Sequence, residues 1–349
     1  MQAPLIVIIY DGLYNSVFDG QVLQPLIAHS QLYQDQPLYL VSFEQESATK
    51  LLSINNKLAH HAIQLHILKK FPLINTMSLW LAIWQLRYFL KKFPAYELKI
   101  RGPLAGFIAL HAMQKNACKN IRIQARGLAA EEYMYDRKVP KNTWLYTWHH
   151  YKVRLLHTVE QFVYNTAMQK HNNITIEAVS PALKEHLVQA YHTPTARITI
   201  AQHDIPPLVV PAQKTLWRTA VRQQLNIMQD MHVYCYNGSI KPWQCPQEVL
   251  EFFRHKYAQD KNKFLLILTQ DIQQFKKLIH EYQLPEHSYH IATVPHDKIY
   301  HYLSACDTGI IFRQKHIVNW VARPTKILEY QAVGLKIVHN NTIGYLSQK

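Results

Sequence analysis

The chain has 349 residues, enough for two ordinary domains with sizeable cores. Its hydrophobic content of 48% and charged content of 17% exclude a disordered protein. A formal net charge of +15, with 21 histidines besides, favours polyanionic partners: nucleic acid, anionic lipid or nucleotides. Because the basic residues are dispersed and match no nucleic-acid-binding module, the sequence favours a membrane surface and a nucleotide over nucleic acid.

Four cysteines occur without a C-x-x-C pair or a histidine at metal-binding spacing: Cys118, Cys235, Cys245 and Cys306. The spacing predicts buried or half-buried free thiols in a reducing compartment. The first apolar run, residues 5–10, is too short for a signal sequence and lacks a basic start. The longest apolar run, residues 73–90, is interrupted by polar residues and is not expected to span a bilayer. We therefore expect a cytoplasmic protein.

The first half of the chain alternates predicted strands and helices. An apolar strand at residues 5–10 leads into a loop with two glycines, Gly12 and Gly20, and then into a helix through residues 26–28. Strand, glycine loop and helix form the entry unit of a doubly wound nucleotide-type fold. Further strands are predicted at residues 37–44, 66–68, 98–103, 121–125, 174–179 and 198–201. The alternation indicates an α/β architecture.

A helix predicted at residues 78–92 combines two tryptophans with three basic residues at helical spacing: Trp80, Trp84, Arg87, Lys91 and Lys92. This pattern suits an aromatic, basic helix that lies on an anionic membrane. It also suits a helix that faces the core and has a basic solvent edge, which is the more common arrangement. The sequence leaves both interpretations open.

Charged residues follow the strand at residues 121–125, at the strand end where parallel sheets bind ligands. Arg126 comes first and can meet a phosphate or another anion. Glu131 or Glu132 can accept a hydrogen bond from a hydroxyl group of a bound ligand. The alternative is an arginine–glutamate pair that only fixes the loop.

Three prolines close the first half and mark a linker: Pro206, Pro207 and Pro211. We therefore expect a first domain of residues 1–205 and a second domain of residues 206–349. In the second domain an all-apolar run at residues 264–269 is typical of a parallel strand buried on both faces. The second domain is thus also expected to be an α/β unit.

A loop with small and basic residues follows the strand predicted at residues 233–236. The loop contains Gly238, followed by Ser239 and Lys241. Arg313 follows a later apolar strand and precedes the last predicted helix.

The most informative stretch is the helix predicted between Pro324 and Gly334. A proline suits the first helical position, and a glycine suits the left-handed residue after a helix end. Thr325 and Lys326 lie in the first turn, where free backbone N–H groups form an anion site. Glu329 lies one turn on, on the same face, where a carboxylate can accept hydrogen bonds from a sugar diol. The alternative is a surface helix with a solvated Lys326–Glu329 ion pair.

Residues 322–338 resemble the motif Ser-Pro-x-Lys-x-x-Glu-Tyr-x-Ala-x-Gly-x-Pro-Val of glycosyltransferase family 4, and the resemblance extends in order over nearly the whole chain. The matching residues are Lys326, Glu329, Tyr330, Ala332 and Gly334, while Arg323 and Lys336 replace the Ser and the second Pro. The resemblance implies the GT-B fold, with two doubly wound Rossmann-like domains that face a cleft. It also implies that the lysine binds the donor diphosphate and the glutamate binds the nucleotide ribose.

The resemblance assigns further site residues. It implies donor binding by Gly20, Gly238, Ser239, Lys241, Arg313, Thr325, Lys326 and Glu329. It implies catalytic roles for Arg126, Glu132 and Lys326. The chain departs from the family at two further positions: many relatives have histidine in place of Arg126, and the longer Glu-x7-Glu form of the motif requires an acid where Val321 stands.

The implied activity is a retaining, metal-independent transfer of a hexosyl or N-acetylhexosaminyl group. The donor would be a UDP- or GDP-sugar, and the acceptor a glycan or lipid-linked glycan in surface polysaccharide synthesis. The sequence has no Asp-x-Asp motif for a divalent metal, so the nucleotide sugar is expected as co-substrate without a further cofactor. The implied location is the cytoplasm, at the inner face of an anionic membrane.

The chain ends soon after Tyr345, where the family fold continues, so a short or truncated C-terminus is expected. Two other functions remain open. One is a non-catalytic GT-B protein that binds a nucleotide sugar or acts as a scaffold. The other is a basic nucleic-acid-binding protein, although no nucleic-acid partner is expected.

Overall fold

The computed structural model describes residues 2–14, 18–45, 52–72, 74–137, 139–140, 144–202 and 205–347. Parts of the predicted features lie outside these residues: residues 15–17 of the first loop and residue 73 of the long apolar run. The chain divides into two compact units, Met1–Asp204 and Ile205–Lys349. Each unit is built around one parallel sheet.

The first unit alternates strands and helices. Its strands are β1 (Leu5–Ile9), β2 (Leu38–Glu44), β3 (Ile63–Lys69), β4 (Tyr96–Arg101), β5 (Cys118–Ala125), β6 (Ile174–Ala178) and β7 (Ile198–Ile200). Its helices are α1 (Gln24–Leu32), α2 (Leu52–Ala59), α3 (Thr76–Leu90), α4 (Gly102–Ala112), α5 (Ala129–Asp136), α6 (Trp144–Gln161), α7 (Ala167–Lys170) and α8 (Pro181–Tyr191). Over the described residues the strands form a seven-stranded sheet in the order β3-β2-β1-β4-β5-β6-β7.

Apolar residues on both faces explain the central position of β1. All five residues of this strand are buried, because it pairs in parallel with β2 on one side and β4 on the other. The polar residues that follow the strands therefore meet at one edge of the sheet, the carboxyl edge. Asp11 follows β1, Arg101 ends β4 and Arg126 follows β5 at this edge.

One predicted loop residue is helical. Gly20 lies in a π-helical turn, Asp19–Leu23, that precedes α1, and it is exposed. A Cβ atom at Gly20 would meet no atom within 4 Å. The prediction of a loop at this position is therefore wrong, because the helix begins earlier than the glycine suggests.

The second unit repeats the pattern. Its strands are β8 (His232–Asn237), β9 (Lys263–Leu268), β10 (Tyr289–Ala292), β11 (Thr308–Ile311) and β12 (Lys336–His339). Its helices are α9 (Pro211–Gln224), α10 (Pro246–Gln259), α11 (Ile272–Glu281), α12 (Ile299–Ser304), α13 (Ile317–Val321), α14 (Thr325–Ala332) and α15 (Gly344–Ser347). In the described part of this unit the parallel strands follow the order β10-β9-β8-β11-β12.

Helix α14 lies where the sequence predicts it, with one difference at its start. Pro324 is the N-cap residue, with an extended backbone, and the first helical residue is Thr325. The predicted end is confirmed, since Gly334 has a left-handed backbone with φ of +66°. The helix runs between β11 and β12 and so begins at the carboxyl edge of the second sheet. Across the described residues, no helix combines the length and the apolar character needed to cross a bilayer.

Candidate functional site

The carboxyl edge of the second sheet brings two segments of the chain together. β8 ends at Asn237 and continues into a loop, and α14 begins nearby at Thr325. Lys326 donates a hydrogen bond from Nζ to Oε1 of Gln244, at 2.5 Å. Gln244 in turn donates from Nε2 to Oγ of Ser239, at 2.7 Å. The loop and the first turn of the helix thus form one polar site, the β8–α14 cluster, which contains Gly238, Ser239, Gln244, Lys326 and Glu329.

Gly238 is packed against the ammonium group of Lys326. A Cβ atom on Gly238 would lie 2.7 Å from Lys326 Nζ, 2.6 Å from Gln244 Oε1 and 2.7 Å from the Tyr236 hydroxyl. At such distances something must shift, so a side chain at position 238 would displace the ends of the Lys326 and Gln244 side chains. The glycine therefore leaves room for the lysine within the cluster.

The surroundings of Lys326 destabilise its protonated, charged form. The residue is half-buried. Burial and the nearby guanidinium of Arg313 lower the pKa of Lys326 to about 7, while Glu329 opposes this shift. An amine in this state readily gains a proton when an anion binds beside it. Such a lysine differs from a solvated surface lysine, whose pKa stays close to 10.

Glu329 is tied to the end of β8. It is 7% exposed and accepts a hydrogen bond from the side-chain amide of Asn237, at 2.8 Å. The Tyr330 hydroxyl accepts a second hydrogen bond, from the backbone N–H of Asn237, at 3.0 Å. The alternative of a solvated Lys326–Glu329 ion pair does not describe this helix, because Glu329 is buried and Lys326 is half-buried.

The other predicted donor residues of the second unit differ in their positions. Thr325 is the first residue of α14, directly before Lys326. Arg313 is buried, with 7% exposure, and is close enough to Lys326 to lower its pKa. Lys241 is exposed, and its ammonium lies 4.7 Å from the centre of the Trp243 ring. Thr325 and Arg313 thus adjoin the cluster, whereas Lys241 contacts Trp243.

No sequence motif marks Gln244 or Asn237, the two residues that hold Lys326 and Glu329. Gln244 ends a short 3-10 helix, and Asn237 is the last residue of β8. The available signal is position, since polar residues at or just beyond the end of a buried parallel strand lie where ligands bind. Their roles become visible only when β8 and α14 are adjacent.

The first unit holds the remaining predicted residues. Arg126 follows β5 directly and is half-buried, and Gly20 lies in the turn before α1. Glu132 belongs to the first turn of α5, and a Cβ atom on Gly127 would collide with its Oε1. The residue is exposed as a whole, but desolvation of its carboxylate and the charge of Asp11 raise the pKa of Glu132 to about 7. A carboxylate that titrates near neutrality is suited to acid–base chemistry.

A second carboxylate, Glu160, fixes the helix that carries Glu132. It is fully buried and accepts a hydrogen bond from the backbone N–H of Ala129, at 2.6 Å. It also accepts one from the hydroxyl of Tyr191, at 3.0 Å. Burial raises the pKa of Glu160 to about 7 against these hydrogen bonds. Because Ala129 is the first residue of α5, Glu160 caps that helix from a distant part of the chain.

The β8–α14 cluster has the character of an anion site. The four cysteines are buried free thiols, which confirms the predicted burial and the predicted lack of pairing. Within the described ranges, no three His, Cys, Asp or Glu side chains are grouped as metal ligands. The positive charge at the second sheet edge comes from Lys326 and Arg313, together with the N–H groups of the first turn of α14.

The sequence matches no protein-family model and no curated protein. The structure is similar to that of a glycosyltransferase from Rickettsia africae ESF-5, with 12% identity and a TM-score of 0.65, over 99% of this chain and 81% of that chain. It is similar to WaaG, a glycosyltransferase involved in lipopolysaccharide biosynthesis, with 14% identity and a TM-score of 0.63, over 99% of this chain and 83% of that chain.

A third similar structure is S. aureus TarM in complex with Fondaparinux, alpha-GlcNAc-glycerol and UDP. It is 9% identical, with a TM-score of 0.63, over 99% of this chain and 86% of that chain. At such low identity these similarities define the architecture, and a shared architecture does not by itself imply a shared reaction. The chain has the GT-B fold, with two Rossmann-like α/β domains.

Proposed function

We propose that the chain is a glycosyltransferase that takes its sugar from a nucleoside diphosphate donor. The observation that carries the proposal is the β8–α14 cluster, where Lys326, with a lowered pKa, precedes the buried Glu329 by one helical turn. A lysine and the N–H dipoles at a helix start suit a diphosphate, and a carboxylate suits a ribose diol. The fold supports the proposal, because solved structures that share it include glycosyltransferases.

In the proposed reaction the bond between the anomeric carbon and the donor phosphate breaks, and negative charge builds on the leaving diphosphate. Lys326, Arg313 and the N–H groups of the first turn of α14 would stabilise this charge. Ser239 and Thr325 would bind phosphate oxygens, and Gly238 keeps the loop close to the lysine. We also propose donor contacts for Lys241, which would have to leave the Trp243 ring, and for Gly20.

We propose that the first unit binds the acceptor. Glu132, whose pKa lies near neutrality, would contact the acceptor hydroxyl, and Arg126 would bind an anionic group. Retention at the anomeric carbon, independence of metal ions and transfer of a hexosyl or N-acetylhexosaminyl group from UDP or GDP are parts of the same proposal. The proposed acceptor is a glycan or lipid-linked glycan of a surface polysaccharide. The transfer reaction is proposed to take place in the cytoplasm.

A thermal-shift panel of UDP-, GDP- and ADP-sugars tests donor binding, and release of the free nucleoside diphosphate tests turnover. We expect one class of sugar nucleotide to raise the melting temperature saturably and to be consumed when an acceptor is supplied. Binding without consumption would favour the non-catalytic alternative. Stabilisation by none of the nucleotides would contradict the proposal, and tight nucleic-acid binding with a steep salt dependence would favour the nucleic-acid alternative.

The lowered pKa of Lys326 predicts that donor binding takes up a proton. With a pKa of about 7 in the free protein, the lysine is mostly neutral at about pH 8, and a bound diphosphate would raise the pKa and restore the charge. We expect uptake of close to one proton per donor at about pH 8 and almost none at about pH 5.5, where the free lysine is already charged.

Calorimetric titration with a sugar nucleotide, in buffers of different ionisation enthalpy at the same pH, gives the number of protons taken up. A sugar nucleotide is a suitable ligand because its diphosphate is a diester without a group that titrates near neutrality. Lys326→Met should abolish the uptake. Equal uptake by the variant and the unmodified protein would assign the proton to another group.

A further inference from the structure

Helix α3 is apolar on both of its faces. The buried residues of the inner face are Ser78, Leu79, Ala82, Ile83, Leu86, Phe89 and Leu90. The outer face carries exposed large apolar side chains, which are Met77, Trp80, Leu81, Trp84 and Tyr88. Trp80 is 60% exposed and Trp84 is 68% exposed. Their spacing of three or four residues places them in one stripe, where a surface helix of a soluble domain normally carries polar residues.

The N-terminal half of α6 continues this aromatic surface. The hydroxyl groups of Tyr151 and Thr76 are hydrogen-bonded at 2.8 Å, which holds α6 against the start of α3. The Tyr151 ring packs on Trp148, with ring centres 5.5 Å apart, and Trp144 lies one turn earlier with 77% exposure. We call the two faces together the α3–α6 surface, defined by Met77, Trp80, Trp84, Tyr88, Trp144 and Tyr151.

The parts of the chain that carry the exposed side chains of this surface are basic. Residues 76–96 include Arg87, Lys91 and Lys92 but no Asp or Glu. Residues 137–159 likewise lack Asp and Glu, and the basic residues that the structure describes there are Arg137, Lys152 and Arg154. Lys91 and Lys92 are exposed directly after the end of α3. The charge of the surface is therefore complementary to a polyanion.

The exposed aromatic side chains and the basic residues together indicate the class of partner. Tryptophan and tyrosine rings prefer the headgroup level of a bilayer, and lysine and arginine are attracted to anionic lipid phosphates. A second copy of the chain fits less well, because a two-fold contact would bring two surfaces of the same positive charge together. An anionic lipid interface satisfies both the apolar stripe and the charge.

We propose that the α3–α6 surface docks the protein on an anionic phospholipid bilayer, with α3 lying in the interface. Its 15 residues give a length of about 22 Å, less than the ~30 Å hydrocarbon core, so it would lie along the membrane and not cross it. This exposed outer face differs from the more common arrangement, in which the solvent edge of a core-facing helix is basic and polar. The docking proposal does not depend on the proposed transfer reaction, since it concerns the surface alone.

Flotation of the full chain with vesicles tests the proposal. One set is phosphatidylcholine alone, and the other contains about one-third phosphatidylglycerol. We expect the protein to float with the anionic vesicles and to be released by high salt. The double variant Trp80→Ser, Trp84→Ser should lower the partition coefficient at least about tenfold, because two large apolar side chains are lost from the interface. The charge reversal Lys91→Glu, Lys92→Glu should lower it by a similar factor.

Matched controls separate the surface from general effects. Leu32→Ser with Leu216→Ser removes exposed apolar side chains elsewhere, and Lys276→Glu with Lys277→Glu makes the same charge change on α11. Both controls should bind anionic vesicles as the unmodified protein does. All these side chains are exposed, so the melting temperature should be retained, and the lysine variant still tests the surface if the tryptophan variant unfolds.

Two results would overturn the proposal. One is equal binding to neutral and anionic vesicles, or no binding to either. The other is a partition coefficient that both α3 variants leave unchanged. If the unmodified chain binds no vesicles and Trp80→Ser with Trp84→Ser converts a dimer to a monomer, the surface belongs to a contact between copies of the chain.

Discussion

Replacing Lys326 with methionine is expected to lower kcat/KM for the donor by about 10²- to 10³-fold. Methionine keeps a similar apolar stem but removes the ammonium group that is hydrogen-bonded to Gln244 and packed on Gly238. The charge that builds on the leaving diphosphate would then lose its cation in the first turn of α14. Steady-state kinetics with the donor identified by thermal shift give the ratio, and calorimetric titration separates lost affinity from lost turnover.

Two further variants make this result specific. Lys336→Met removes the same charge from an exposed position at the start of β12, which is the opposite edge of the sheet, and should leave kcat/KM unchanged. Lys326→Arg keeps the charge but needs room for a planar guanidinium beside Gly238, so it should not restore activity. Equal activity of Lys326→Met and Lys336→Met would contradict the role proposed for the lysine.

The limits of α14 show what a local pattern can predict. Its end follows from Gly334 alone, because a left-handed residue is required there and glycine supplies it. Its start lies one residue later than predicted, since Pro324 serves as an N-cap as well as it would serve as the first helical residue. Both ends depend on neighbouring residues only, so a local sequence pattern locates them to within one residue.

The environment of Lys326 depends on residues that are far away in the chain. Its hydrogen-bond partner, Gln244, is 82 residues distant. The lowered pKa arises from burial and from Arg313, and both depend on how β8, β11 and α14 pack. In the first unit, Glu160 likewise reaches Ala129 across 31 residues to cap α5. The spacing of residues along the sequence does not predict such contacts, because they depend on the order of the strands in each sheet.

The sheets and α3 also combine features that a local sequence pattern predicts with features that only the packing decides. Alternating apolar strands and helices predict two parallel α/β units, but the strand orders are not encoded in any local pattern. In α3, apolar residues occupy both faces, so periodicity does not reveal which face is buried. The packing of α3 against the rest of the first unit decides which face is buried and leaves Trp80 and Trp84 exposed. The sequence shows the basic residues near these tryptophans, but a membrane-binding role can be inferred only once the tryptophans are known to be exposed.

Asp307→Ala is expected to destabilise the second unit by about 3–5 kcal/mol. Asp307 accepts hydrogen bonds from the guanidinium groups of Arg218 and Arg222, each at 2.9 Å, and from the backbone N–H of Val233, at 2.8 Å. Arg222 is fully buried. Its other N–H groups donate to backbone carbonyls, including that of Ala305 at 2.9 Å. The substitution would remove the carboxylate and leave a buried cation with carbonyl dipoles only.

Urea unfolding, followed by hydrogen exchange in the peptides of β8 and β11, measures this effect within the second unit. Asp260→Ala is the matched control, since that exposed aspartate pairs with Lys263 on the surface and its loss should change stability little. Asp307→Asn should fall between the two, because an amide still accepts a hydrogen bond but carries no charge. If Asp307→Ala matched the control, the buried Arg222 would be neutralised by another group. A loss of stability confined to the second unit would assign Asp307 to the folding of that unit.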